Sequence, residues 1–303
     1  MKIIVAYDGS PCADAALADL RRTGLPREGE ALVISVAERW LPFSSVSRIV
    51  EFGSLTGAAA APVADDLERA RALASRAASQ LQSYFTNWKV EALGASGSPA
   101  HEILSRAGER HPDFIVLGCQ GSTGLGRFLL GSVSQKVLHE AACSVRICRG
   151  TAWKGASPVR LVIGLDGSPL SKQAVTSVAA RVWPLGSEVR LITVIDPSKA
   201  EAAGPSTEIS ASDLVRPFIE DAENRLRAVD LAVSTRVEAG DPKLVLVADA
   251  EEWGADCIVM GAAAQPSARS TLGAVSTAVV TRSHCSIEVI RASASSDEVE
   301  APA

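Results

Sequence analysis

Short apolar runs alternate along this chain with longer segments that have helical spacing. Ile3–Val5 is an uninterrupted apolar run, typical of a strand buried on both faces. Ser10 and Pro11 follow it and provide the N-cap and first-turn proline of a helix. The same alternation predicts strands at 32–36, 89–92, 114–117 and 145–148, and helices at 65–85, at 100–110 and from Ser132 onward. Strands that alternate with helices favour an α/β fold with a parallel sheet and right-handed crossovers.

This pattern occurs twice. Segment 4–11, Ile-Val-Ala-Tyr-Asp-Gly-Ser-Pro, returns at 162–169 as Val-Ile-Gly-Leu-Asp-Gly-Ser-Pro, an offset of 158. Segments 112–118 and 131–134 return in the same order, at offsets of 143 and 142. Ordered matches over such a length indicate two copies of one domain. We therefore predict a first domain at 1–150, a linker at 151–158, a second domain at 159–292 and a disordered Ser/Ala-rich tail at 293–303.

The first copy is longer than the second. Val36 and Gly97 lie 61 residues apart, whereas their counterparts Val194 and Gly240 lie 46 apart. The extra 15 residues fall after the second strand, within 42–62. The apolar side chains of this insertion leave three interpretations open: a partner surface, a lid over a ligand, or an ordinary variable loop, which we take as the default.

Composition and charge exclude several classes of protein. Hydrophobic residues make up 47% of the 303 positions, enough for two cores and too many for a disordered chain. The net charge of −5 argues against a nucleic-acid binder held by phosphate contacts. The chain has no apolar run of membrane-spanning length and no signal-peptide pattern, so we expect a cytoplasmic protein that does not enter a membrane. Six cysteines without a CxxC pair argue against a disulfide framework or zinc ribbon, and we expect buried free thiols.

Candidate chemistry lies after the first and fourth predicted strands, because open parallel sheets bind ligands beyond the carboxyl ends of their strands. Asp8 follows the first strand, and a glycine-rich loop at 118–132 follows the fourth. Glycines permit positive φ, and inward N–H groups beside a helix N-terminus favour an anion such as a polyphosphate. The hydroxyls of Ser132 and Ser134 are candidate phosphate donors. A flexible surface loop is the alternative interpretation.

The spacing Gly118-x2-Gly121-x9-Gly131-Ser132 resembles the ATP-binding signature G-2x-G-9x-G-(S/T) of the universal stress protein family. Asp8 after the first strand strengthens the resemblance, which covers both copies. It implies an α/β fold of two tandem Rossmann-like (adenine nucleotide alpha hydrolase-like) domains. Each would be a five-stranded parallel sheet of order 3-2-1-4-5, flanked by helices. It also implies ATP in the first domain, with Mg²⁺ on the triphosphate, and a regulatory role in the stress response.

The resemblance also assigns parts of the nucleotide to residues of this chain. Ala6 and Asp8 would meet the adenosine part, and the backbone of Val36 would contact adenine. Leu117 and Gly118 would flank the nucleotide. The phosphates would be held by Gly121, Gly131, Ser132, Val133 and Ser134.

The second copy departs from the signature. Ala264 replaces the second glycine, Ala274 replaces the hydroxyl residue, and Pro266 removes an N–H. Since fewer donors converge there, we predict that the first domain alone binds ATP well and that the second is a structural partner. In the first copy, Gln120 stands where the family commonly has a basic residue, which lowers the expected phosphate affinity.

The predicted fifth strands, 144–148 and 286–290, are sheet edges whose backbone groups need cover. The resemblance implies that they pair antiparallel within one chain, as a pseudo-dimer. Homo-oligomers and an unidentified protein partner remain open at this point.

The sequence offers no recognisable catalytic set. It lacks a P-loop lysine, and its histidines have no metal-binding spacing, so we take all of them as structural and predict no metal site in the protein (His101, His111, His139 and His284). Asp8 is the one carboxylate near the predicted phosphate site, which allows at most slow hydrolysis. Two alternatives to an ATP-binding regulatory module stay open: a slow ATPase or phosphate-transfer enzyme, and a nucleotide-independent, chaperone-like assembly module.

Overall fold

The structure is a computed structural model that describes residues 1–38, 61–120, 130–149, 157–196, 211–263 and 272–292. The first half of the chain has the following elements in order: β1 (Lys2–Ala6), α1 (Pro11–Asp19), β2 (Gly29–Glu38), α2 (Ala61–Tyr84), β3 (Trp88–Gly97), α3 (Pro99–Arg110), β4 (Phe114–Gly118), α4 (Ser132–Glu140) and β5 (Ser144–Cys148). The second half repeats them: β6 (Arg160–Gly164), α5 (Pro169–Ala179), β7 (Glu188–Ile195), α6 (Ala211–Arg227), β8 (Ala232–Ala239), α7 (Pro242–Trp253), β9 (Cys257–Gly261), α8 (Ala274–Arg282) and β10 (Ser286–Ile290).

One ten-stranded sheet runs through both halves in the order β3-β2-β1-β4-β5-β10-β9-β6-β7-β8. Within each half the order is 3-2-1-4-5 and the pairing is parallel, which confirms the predicted fold. The halves join where β5 and β10 pair antiparallel, with Arg146 opposite Glu288. This is the antiparallel edge pairing within one chain that the family resemblance implied. Within the described ranges, no helix is both long and apolar enough to cross a bilayer.

The side chains of β1 pack into two hydrophobic cores because alternate residues of a strand point to opposite faces. Ile4 packs on the face covered by α3 and α4, in a core that continues across β5 and β10 into the second half. Ile3 and Val5 pack on the other face, against α1 and α2. Burial on both faces explains why the first strand is an uninterrupted apolar run.

Several element boundaries differ from the predicted ones. The second and third strands are longer than expected, because β2 and β3 stay paired from Gly29 opposite Trp88 to Glu38 opposite Gly97. The helix expected at 65–85 begins earlier, at Ala61. Most of the insertion at 42–62, most of the linker at 151–158, and the tail at 293–303 lie outside the described residues.

Buried charges cross the junction between the halves. The Arg146 guanidinium donates to Asp19 Oδ2 at 2.7 Å and to Glu288 Oε2 at 3.1 Å. Arg181 donates to the same Glu288 oxygen at 2.9 Å. Burial alone would raise the pKa of Glu288, but the guanidinium groups of Arg181 and Arg146 outweigh burial and hold the pKa below its usual range.

Candidate functional site

A cleft of about 580 Å³ opens beyond the carboxyl ends of β1, β2 and β4. The turn after β1, the end of β2, the first turn of α4 and one face of α2 form its walls. Most of the site residues predicted from the sequence line this cleft, namely Ala6, Asp8, Val36, Leu117, Gly118, Gly131, Ser132, Val133 and Ser134. The remaining one, Gly121, lies outside the described residues.

The turn between β1 and α1 holds Asp8 at the rim of the cleft. Asp8 Oδ1 accepts from the backbone N–H of Ser10 at 3.0 Å, and Ser10 Oγ in turn caps α1 by accepting from the N–H of Ala13 at 3.1 Å. Gly9, between them, has φ +77°, and a Cβ there would lie 3.0 Å from Leu73 of α2. The sequence Asp-Gly-Ser therefore gives a tight turn with an exposed carboxylate that lines the cleft.

The end of β2 presents backbone groups to the cleft. β1 pairs with β2 only as far as Ala6 opposite Ile34, where the N–H of Tyr7 still donates to Ile34 O at 2.9 Å. Backbone groups alternate in direction along a strand. The N–H and C=O of Val36 therefore face the same side as those of Ile34, into the space beyond the end of β1. This is the kind of donor and acceptor pair that the edge of a purine base requires.

The N-terminus of α4 forms the wall opposite β2. Its N-cap is Gly131, and among the described residues no side-chain oxygen caps this helix, whereas serines cap α1 and α5. First-turn N–H groups without a cap favour an anion. Ser132 is exposed in that first turn.

Ser134 requires a correction. Its hydroxyl donates to the backbone carbonyl of Gly118 at 2.8 Å, so its proton is engaged within the protein. The expectation that Ser134 donates to phosphate does not fit this arrangement. Instead, the side chain fastens the start of α4 to the end of β4.

The described walls of the cleft carry more negative than positive charge. Their carboxylates are Asp8, Glu38 and Asp66, and Arg69 is the one guanidinium among the described lining residues. The guanidinium of Arg69 is itself paired with a carboxylate, because its Nη1 lies 3.6 Å from Asp66 Oδ1. A bare triphosphate would be repelled by such walls, whereas a triphosphate that carries Mg²⁺ brings its own compensating charge.

The wall formed by α2 was not recognised from the sequence. Arg76 of α2 donates to Tyr7 Oη at 2.8 Å, and Tyr7 donates to Asp14 of α1 at 2.5 Å, so this network ties α2 to α1 beside the cleft. Burial, together with the neighbouring Asp14, raises the pKa of Tyr7. The signal was present in the spacing of the cleft-lining α2 residues, which share one helix face: Asp66, Arg69, Ala70 and Leu73.

The second half repeats the framework of the site. Asp166 Oδ1 accepts from the N–H of Ser168 at 3.0 Å, as Asp8 does from Ser10. Ser276 Oγ donates to Gly261 O at 2.8 Å, the counterpart of the bond made by Ser134. Ala274 takes the place of the exposed first-turn serine. Ala264 and Pro266, the other departures from the signature, lie outside the described residues, so the loss of the second nucleotide site stays a prediction.

The histidines occupy separate places in the fold. His101 lies in the first turn of α3, His139 lies in the last turn of α4, and His111 ends α3 with φ 48°. His284 lies 3.5 Å from Glu251. Across the described ranges, no three His, Cys, Asp or Glu side chains are grouped as metal ligands.

Comparisons with known proteins show which family this chain belongs to. Residues 1–149 and 159–291 each match the universal stress protein family. Universal stress protein YxiE of Bacillus subtilis is 30% identical over 153 residues, 49% of this chain and 98% of that protein. The crystal structure of a universal stress protein from Archaeoglobus fulgidus is 22% identical with a TM-score of 0.61, and the alignment covers 96% of this chain and 98% of that one. A universal stress protein solved in complex with cAMP is 24% identical with a TM-score of 0.33, over 44% of this chain and 96% of its own. Because the family match spans both repeats, the chain belongs to the universal stress protein family.

Proposed function

We propose that the first half binds ATP in the cleft and that the chain acts as a nucleotide-binding regulatory module of the stress response. The observation that carries this proposal is the gathering of the sequence-predicted site residues around one cleft of about 580 Å³. That volume falls within the range of about 300–1,000 Å³ that small-ligand sites have. The second half is proposed as a structural partner that completes the sheet.

The β1–β2 side of the cleft suits the nucleoside. The backbone of Val36 offers a donor and an acceptor to the adenine edge, and the exposed carboxylate of Asp8 can accept from ribose hydroxyls. Because an ionised carboxylate and a phosphate are both negatively charged, Asp8 would also repel phosphates placed close to it. The nucleoside is therefore assigned to the β1–β2 side and the phosphates to the α4 side.

The α4 side suits the phosphates. The first turn of α4, whose N-cap is a glycine, supplies N–H groups, and Ser132 adds an exposed hydroxyl. Mg²⁺ would supply charge compensation on the triphosphate, which the carboxylates of the cleft otherwise oppose. We therefore expect EDTA to weaken ATP binding.

Calorimetric titration of nucleotide-stripped protein with MgATP tests the proposal. One site per chain is expected. Asp8→Asn should weaken ATP binding about tenfold or more, because that is the contribution of one hydrogen bond to a charged group. Ser132→Ala should weaken ATP binding less. The matched control is Asp166→Asn, because Asp166 makes the same turn contact in the second half.

Absence of both heat and thermal stabilisation by MgATP would refute nucleotide binding. Equal losses in Asp8→Asn and Asp166→Asn would refute the assignment to the first half. Two tight sites per chain would refute the structural role of the second half.

A further inference from the structure

Two cysteine side chains meet behind the cleft wall, between α1 and the end of β4. Sγ of Cys12, in the first turn of α1, lies 3.7 Å from Sγ of Cys119, the residue that follows β4. Cys12 is partly exposed, whereas Cys119 is buried. The backbones are also in contact, because a Cβ on Gly118 would lie only 2.8 Å from the carbonyl carbon of Cys12.

The second half has the same packing without thiols. Gly261 takes the place of Gly118, and a Cβ on it would lie 2.8 Å from Cβ of Leu170, the counterpart of Cys12. Ala262 is the counterpart of Cys119. Since leucine and alanine fill the same positions, packing between this helix and this strand does not itself require a cysteine pair.

We propose that Cys12 and Cys119 form a modification site at which a hydroperoxide closes an intramolecular disulfide. The sulfur of Cys12 attacks one peroxide oxygen, the O–O bond breaks, and a water molecule leaves (for hydrogen peroxide), so that Cys12 becomes a sulfenic acid. The sulfur of Cys119 then attacks Sγ of Cys12. The S–S bond forms as the S–O bond breaks, and a second water carries away the proton of Cys119. The two sulfurs together lose two electrons, which the peroxide gains.

Accessibility sets the order of the two thiols. Cys12 is the partly exposed member and meets the peroxide. Burial, reinforced by the neighbouring Cys12, raises the pKa of Cys119 to about 11, although the guanidinium of Arg149 acts in the opposite direction. Cys119 therefore stays protonated until the sulfenic acid is in place and acts as the resolving thiol.

The disulfide would change ATP binding in the cleft by displacing the base of the glycine-rich loop. This consequence rests on the proposed function. The two sulfurs must approach by about 1.7 Å to reach the S–S bond length. Because the backbones of Gly118 and α1 are already in contact, we expect part of this approach to be taken up at Cys119. Its carbonyl accepts from the N–H of Gly131 at 2.8 Å, which joins the two ends of the loop beside the first turn of α4. We expect ATP affinity to fall about tenfold, as for the loss of one hydrogen bond to a charged group.

The experiment uses the full chain, reduced, desalted and then treated with hydrogen peroxide. Peptide mapping by mass spectrometry under non-reducing conditions should find a Cys12–Cys119 disulfide, and MgATP titration should find weaker binding that dithiothreitol restores. The double variant Cys12→Leu with Cys119→Ala places at these positions the residues found at the equivalent positions of the second half, Leu170 and Ala262. This variant should form no disulfide, and its ATP affinity should not change with peroxide. Cys143→Ala, which keeps the pair, should behave as the unmodified chain does.

Two results would overturn the modification site: both thiols remain free, or the thiols end as separate sulfinic acids. A mapped disulfide that leaves ATP affinity unchanged would overturn its proposed effect on the cleft. Should neither the reduced nor the oxidised chain bind ATP, the proposed function itself fails. The peptide map then decides alone for or against the modification site.

Discussion

Glu288→Gln should destabilise the chain far more than the loss of one surface charge would. Glu288 is fully buried and accepts from both Arg146 and Arg181. When glutamine removes the charge of Glu288, Arg146 still donates to the carboxylate of Asp19. Arg181 is left with neutral partners, such as the carbonyl of Thr23 at 3.4 Å. One buried cation is then left without a carboxylate, which costs about 3–5 kcal/mol of the free energy of unfolding.

The measurement is urea and thermal unfolding, followed by tryptophan fluorescence and circular dichroism. At about 2–4 °C per kcal/mol, the midpoint temperature should fall by roughly 10 °C. Glu188→Gln is the control, because Glu188 lies 3.8 Å from Arg160 with both side chains half exposed, and such pairs contribute about 0–1 kcal/mol. Adding Arg181→Met to Glu288→Gln should recover part of the loss by removing the unpaired cation. A loss below about 1 kcal/mol in Glu288→Gln, or no recovery in the double variant, would refute the reasoning.

Four further outcomes can be measured on the same chain. Because folding lowers the pKa of Glu288, its contribution to stability is complete above the ordinary carboxyl pKa of 4.5 and is lost as the pH falls through the lower folded pKa. Glu288→Gln should therefore reduce the dependence of the unfolding free energy on pH in this acidic range. Gly9→Ala forces a non-glycine residue to φ +77° and should cost more than about 1 kcal/mol in urea unfolding. Gly108→Ala in α3 meets open space and should instead stabilise by about 0.5–1 kcal/mol, so equal signs for the two would contradict the backbone argument. Ser134→Ala and Ser276→Ala should each cost about 1–3 kcal/mol, because each leaves a carbonyl without its hydroxyl donor, and a neutral result in either would contradict that role.

The turn that carries Asp8 was predictable because each of its properties is local. An apolar run, then Asp-Gly-Ser-Pro, specifies a buried strand, a positive-φ glycine and a capped helix without reference to the rest of the chain. The repeat predicted that these features would occur twice. The strand order came from the family resemblance, since local patterns do not determine which strands become neighbours.

Features that depend on contacts between residues far apart in the chain could not be predicted from local sequence patterns. In β5, the pattern Ser-Val-Arg-Ile-Cys gives no indication that its arginine is buried, because burial arises only when β10 covers the edge and supplies a carboxylate. Helical spacing showed that α2 has a face, but the network of Tyr7 and Arg76 that holds this face beside the cleft joins residues 69 positions apart. The cysteine pair, 107 positions apart, was likewise invisible to local patterns.

Some contacts at the junction between the halves are symmetric, whereas the contact at its centre is not. Arg149 donates to carbonyls at the C-terminal end of α8, and its counterpart Arg291 donates to a carbonyl in the last turn of α4. These equivalent bonds place cations at helix C-termini, where the helix dipole favours them. At the axis, however, equivalent positions of the two halves lie directly opposite one another and hold Arg146 and Glu288. Two first halves paired in this way would set Arg146 against a second Arg146, and two second halves would set Glu288 against a second Glu288, with like charges buried face to face. The tandem chain avoids both repulsions, and its central charge pair therefore favours union of the first half with the second over either half with itself.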